Sequence, residues 1–136
     1  MKPTIITALA ASLAILATQP AAARAAGQGD DPDAGARAAL AAALQGMARA
    51  KLAVSERYTK THAWARDATA AGFEAPAGIP GRIAIADGTI TVTFDAPASI
   101  AGKTLALVPS DAGDGMVHWR CEAPALPATL RPKGCE

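Results

Sequence analysis

From Ala34 to about Thr59 the chain is rich in alanine and holds no proline, and four strand-like stretches follow it between Arg82 and Cys121. That order restricts the fold more than any other feature. Asp33 is placed to cap the helix, and Asp30 and Asp31 lie near its positive end. Leu40, Leu44, Met47, Val54 and Tyr58 recur at spacings of three, four and seven, with Leu52 beside them. Such spacing makes one apolar face of an amphipathic helix. Gly46 is its weak point. Arg37, Arg49, Lys51, Glu56 and Arg57 fill much of the rest.

Thr61 to Gly81 loses this period and reads as loop, with a helical turn around Trp64 to Ala71. A hairpin comes next. Ile83 and Ile85 alternate with smaller or polar residues, Asp87-Gly88 supplies a two-residue turn favouring positive φ, and Ile90, Val92 and Phe94 alternate with threonines. Leu105 to Val108 is a third strand closed by Pro109, and Met116 to Cys121 a fourth. One helix followed by strands with short connections is α+β with an antiparallel sheet. Ile90, Val92 and Phe94 would then meet the Leu40/Leu44/Met47 stripe, leaving the threonines to solvent.

The first 25 residues have a different character. Lys2 precedes an apolar run from Ile5 to Ala17, and Thr18-Gln19-Pro20 leads into small residues suited to cleavage near Ala25. The run falls short of the roughly 20 residues that span a bilayer. We therefore expect a signal peptide over 1–25, a flexible lead-in over 26–33, one globular domain over 34–136, and no stable membrane anchor after cleavage. No cysteine lies near the cleavage region to carry a lipid. Cleavage removes Lys2 and Arg24 and takes the formal net charge from +1 to −1, so bulk charge points to no nucleic acid. Localisation would be periplasmic or secreted.

The chain has two cysteines, Cys121 and Cys135, so a disulfide, if one forms, joins them. An oxidising compartment suits that bond, and closing a loop of about 15 residues stabilises by about 3 kcal/mol in the chain-entropy model. Neither CxxC spacing nor a histidine cluster supports a redox or metal site. Ser55, Ser99 and Ser110 sit in no nucleophile elbow, and the glycine-rich stretches match no phosphate-binding motif. No enzyme, cofactor or metal is expected.

Four stretches in order, Gly88-Thr-Ile-Thr-Val-Thr-Phe94, Ile100 to Pro109, Val117-His-Trp-Arg-Cys121, and Leu126-Pro through Pro132-Lys-Gly-Cys135, resemble the globular domain of type IV pilins. The resemblance covers roughly Ala34 to Glu136 and includes Lys51 to Tyr58 as the end of the pilin helix. It implies a long helix across a four-stranded antiparallel sheet, and a Cys121–Cys135 loop used in subunit contacts or surface recognition. The cleavage motif and acidic start of a pilin's membrane helix have no match here, since no acidic residue precedes Asp30. Some pilins bind DNA through a basic strip near this loop. Here Arg120, Arg131 and Lys133 lie there, offset by Glu122 and Glu136. Trp119 beside them is a candidate recognition residue or a partly buried anchor.

The expected function is an exported, non-enzymatic accessory or interaction component of a type IV pilus or related system. It would bind pilus subunits or pilus-machine components through a sheet edge or the loop. The alternative is a periplasmic DNA- or ligand-binding module in uptake or adhesion.

Overall fold

The computed structural model describes residues 31–136. The expected signal peptide, its expected cleavage near Ala25 and most of the expected lead-in lie outside them. One long helix, α1 (Ala34–Thr61), is followed by a single turn, α2 (Ala68–Ala71). The strands β1 (Gly81–Ala86), β2 (Thr89–Phe94), β3 (Thr104–Asp111) and β4 (Val117–Glu122) form an antiparallel meander in the order β1-β2-β3-β4. The architecture is the α+β arrangement expected from the sequence.

The start of α1 differs in detail. The Asp33 side chain makes no cap hydrogen bond. Asp31 accepts the Asp33 N–H at 3.0 Å instead, and Arg37 reaches back to the Asp31 carboxylate. At the other end, His62 stops the helix in a left-handed conformation (φ 52°), donating its N–H to the Tyr58 carbonyl at 2.7 Å. Such a stop usually falls to glycine.

The buried face of α1 is Ala36, Ala39, Leu40, Ala43, Gly46, Met47, Ala50 and Val54. Half of it is alanine; Leu40, Met47 and Val54 of the expected stripe belong to it, and Leu44 does not. At 100° per residue, Leu44 lies about 100° from the centre of this face and Leu52 on its far side. They are 37% and 62% exposed. Close approach of helix and sheet decides the matter. A Cβ on Gly46 would stand 2.8 Å from Ile83 Cδ1 and nearer still to Ile79 Cδ1. Gly46 is thus the point of contact with β1, not a flaw in the helix.

The hairpin follows the expected register, with Ile83 opposite Val92 and Ile85 opposite Ile90. Asp87 and Gly88 take φ of 47° and 81° at the turn. Ile90, Val92 and Phe94 are fully buried, whereas Thr89, Thr91 and Thr93 are half-buried rather than open to solvent. They stand in a central strand, flanked by Ala84, Ala106 and Thr104.

β3 continues three residues past Val108, through Pro109 to Asp111. Phe94 donates its N–H to the Lys103 carbonyl, so Val92 and Ile90, which alternate with it, also face β3. The β3 residues turned toward β2 are then Leu105, Leu107 and, next in alternation, Pro109. Pairing with β2 stops at Leu107. Proline is tolerated because its missing donor points where β2 has already ended.

Candidate functional site

β4 places the first half of the site. Because Leu107 faces the core and pairs with Cys121, and Pro109 with Trp119, the residues Val117, Trp119 and Cys121 share the helix side of the sheet. His118 and Arg120 occupy the outer side. Cys121 and Cys135 are joined in a disulfide with Cα atoms 4.4 Å apart, as the resemblance implied. Cys135 is 6% exposed.

Between the cysteines, short turns replace regular structure. Leu126 N–H bonds to the Ala123 carbonyl, Leu130 and Arg131 N–H to that of Pro127, and Cys135 N–H to that of Pro132. Ala123, Leu126 and Leu130 drop into the main core, at 0, 2 and 5% exposure. After the disulfide the chain runs parallel to β4. Glu136 N–H donates to the Cys121 carbonyl at 3.2 Å, and Ala123 N–H to the Glu136 carbonyl at 3.1 Å. The loop is therefore fastened three ways: by buried leucines, by the disulfide, and by a short pairing on the β4 edge. Pro124, Ala125, Pro127, Ala128, Thr129, Lys133 and Gly134 remain exposed. Beside the disulfide lies an open cavity of about 260 Å³ between Arg120, Glu122, Pro124 and Glu136.

The residues singled out in the sequence do not form one patch. Trp119 is half-buried on the helix side, packed against the core with Lys51 Nζ 5.6 Å from its ring centroid. Arg120 extends from the outer side and is held by Glu122, Nη2 to Oε1 at 2.6 Å. Arg131 turns into the loop, where its Nη2 donates to the Leu126 carbonyl at 3.1 Å and the Pro124 carbonyl at 3.4 Å. Lys133 alone of the three cations near the loop stays exposed without such a bond. Proximity in sequence suggested a strip; the alternation of β4 and the inward turn of Arg131 disperse it.

A second cluster carried no signal in the sequence. Tyr58 stacks on Trp64 with centroids 3.9 Å apart, and its hydroxyl donates to Asp111 Oδ2 at 2.6 Å. That bond lowers the Asp111 carboxyl pKa, with help from the Gly113 N–H, and raises that of the Tyr58 hydroxyl. Asp114 is lowered too, first by the Met116 N–H and then by His118, whose Nε2 lies 2.7 Å away. The Tyr58–Asp111 bond ties the end of β3 to the end of α1, and the Asp114 bonds close the β3–β4 loop on itself and on β4. The partners are 53 residues apart in one case, so no local spacing announced them.

Among the described residues no group of three His, Cys, Asp or Glu could hold a metal, and no helix is long and apolar enough to cross a membrane. The four strands in meander order, the disulfide-closed loop and all but the first two residues of α1 fall inside the match to one family model. That model is described as a pilin of bacterial filaments, and it covers residues 36–136. The chain belongs to the pilin family. No curated protein matches it. Pilins are structural subunits that assemble with other subunits into surface-exposed filaments. In this pilin, the crest of the Cys121–Cys135 loop is exposed.

Proposed function

We propose that this pilin is exported and serves as an accessory or interaction component of a type IV pilus or related system, in assembly, adhesion or surface recognition. Its contact surface would be the crest of the Cys121–Cys135 loop. One observation carries the reading: Leu126, Leu130 and the disulfide hold an irregular loop in place while Pro124, Ala125, Pro127 to Thr129 and Lys133 stay exposed. A preformed surface loses little conformational entropy on binding, which favours affinity. Export is supported by the apolar run from Ile5 to Ala17 and by a disulfide suited to an oxidising compartment. Retention in the periplasm and release from the cell are both consistent with these features. DNA binding gains no support from the loop, because Arg120 is held by Glu122 and Arg131 by backbone carbonyls.

Deleting the gene in its host tests the proposal. Piliation or pilus-dependent adhesion should fall. Wild-type protein should restore it, whereas a variant carrying Ala128→Glu and Lys133→Glu on the crest should not. Unchanged piliation and adhesion in the deletion strain would overturn the reading.

A further inference from the structure

The face of α1 turned away from the sheet plays no part in the core. On it, Ala38, Ala41, Gln45, Ala48, Leu52 and Ser55 recur at alternating spacings of three and four, the period of a seam between two paired helices. At 100° per residue this row is centred about 170° from the buried face. Five of the six are exposed and Ser55 is half-buried. Leu52, at 62%, is the most exposed large apolar side chain on the helix. No charge interrupts the row, although Arg37, Arg49, Lys51, Glu56, Arg57 and Lys60 lie on other parts of the same helix. A solvated helix face ordinarily carries such charges.

The row is complementary to itself in reverse. In an antiparallel pair with its two-fold axis between Gln45 and Ala48, Leu52 stands over the partner's Ala41. Ala38 then meets the partner's Ser55, and Gln45 the partner's Ala48. The one large apolar side chain falls on a small one, and the small residues let the axes approach to about 8 Å. The ends are complementary too. Asp31 and Asp33 precede the helix, with Arg37 beside them, and Arg57 and Lys60 lie in its last two turns without an ion-pair partner among the described residues. Antiparallel pairing brings the acidic start of each helix to the basic end of the other and opposes the two helix dipoles. A parallel pair would set Leu52 against its own equivalent and bring like charges together at both ends. Spacing, register and charge all select a second copy of this chain.

We propose that the outer face of α1 is a self-recognition surface, through which two copies pair antiparallel along the helix. This surface is separate from the Cys121–Cys135 loop, so the two proposals fail independently.

Sedimentation velocity of the oxidised full chain across a concentration series gives the test. A dimer should appear as concentration rises. Leu52→Lys puts a charge into the seam at an exposed position and should weaken the dimer about tenfold. Ala48→Glu, which sets two carboxylates near the axis, should weaken it as well. Both variants should keep the wild-type circular dichroism melt in dilute protein, since neither side chain touches the core. Orientation has its own readout. Spin labels at Thr59 should lie about 40 Å apart in the dimer, from 1.5 Å of rise per residue on either side of the axis, whereas a parallel pair would hold them about 10 Å apart. A chain that stays monomeric at every concentration would leave this face to its own residues 1–30 or to a different protein, and would overturn the proposal. A dimer indifferent to both substitutions, or labels at the parallel distance, would overturn it equally.

Discussion

Against β1 and β2, α1 packs through four alanines and a glycine interleaved with Leu40, Met47 and Val54, and the contact is closest at Gly46. The Cys121–Cys135 segment does the reverse. It has no regular structure of its own, and it is held by two large side chains, a covalent bond and a two-bond pairing with β4. The first region gains stability from regular elements with smooth surfaces. The second uses a few strong attachments and leaves the rest of its surface free to vary. A scaffold suits the first set of properties, and the contact surface proposed for the loop suits the second.

The sharpest way to break this comparison is to remove an attachment from the loop. Leu126→Ala deletes a side chain at 2% exposure and should cost about 3 kcal/mol in urea unfolding. A cost near zero would mean the loop is not seated in the core. Replacing both cysteines by serine should also cost about 3 kcal/mol, but its effect should be local. The amides of Ala123 and Glu136 should lose exchange protection, while those of Leu105 and Leu107 keep theirs. Loss of protection across the sheet would show that the leucines cannot hold the loop alone. On the scaffold side, Gly46→Val should destabilise by about 2 kcal/mol despite the better helix propensity of valine, because the helix would have to lift from Ile79 and Ile83.

The smallest effect concerns the β3–β4 loop, which lies at the end of the scaffold. Asp111 and Asp114 have lowered pKa values in the fold, so their contribution is present above the ordinary carboxylate pKa and is lost as pH falls through the folded values. Tyr58 is raised, so its contribution is present below its ordinary pKa and is lost as pH rises through the folded one. Asp111→Asn should therefore flatten the Tm profile below about pH 4 and above about pH 10. Identical profiles for the variant and wild type would show that the Tyr58–Asp111 bond contributes nothing to stability.

Much of the scaffold could be read from sequence because its signals are local. Asp87-Gly88 fixes the hairpin turn, and alternation from Thr89 to Phe94 fixes the buried side of β2. The helix was legible in extent, and in orientation through Leu40, Met47 and Val54 but not through Leu44. Its leucines drew attention away from Ala36, Ala43 and Ala50, and only the closeness of the sheet makes small residues the better core. Pro109 looked like a strand end because its tolerance depends on where β2 stops, which no residue near it reveals. At the loop, the cysteines and the family resemblance marked the place. The inward turn of Arg131 and the split of Trp119 from Arg120 depended on backbone carbonyls and sheet sides that charge spacing does not encode.

The crest of this loop is the proposed point of contact with pilus subunits. A photo-crosslinking residue at Lys133, in otherwise wild-type protein expressed in its host, tests that contact directly. Covalent recovery of a pilus subunit other than this chain, or of a pilus-machine component, lost when the crosslinker is moved to the exposed Glu56 on α1, is the result expected. Equal recovery from both positions, or none from Lys133, would contradict it.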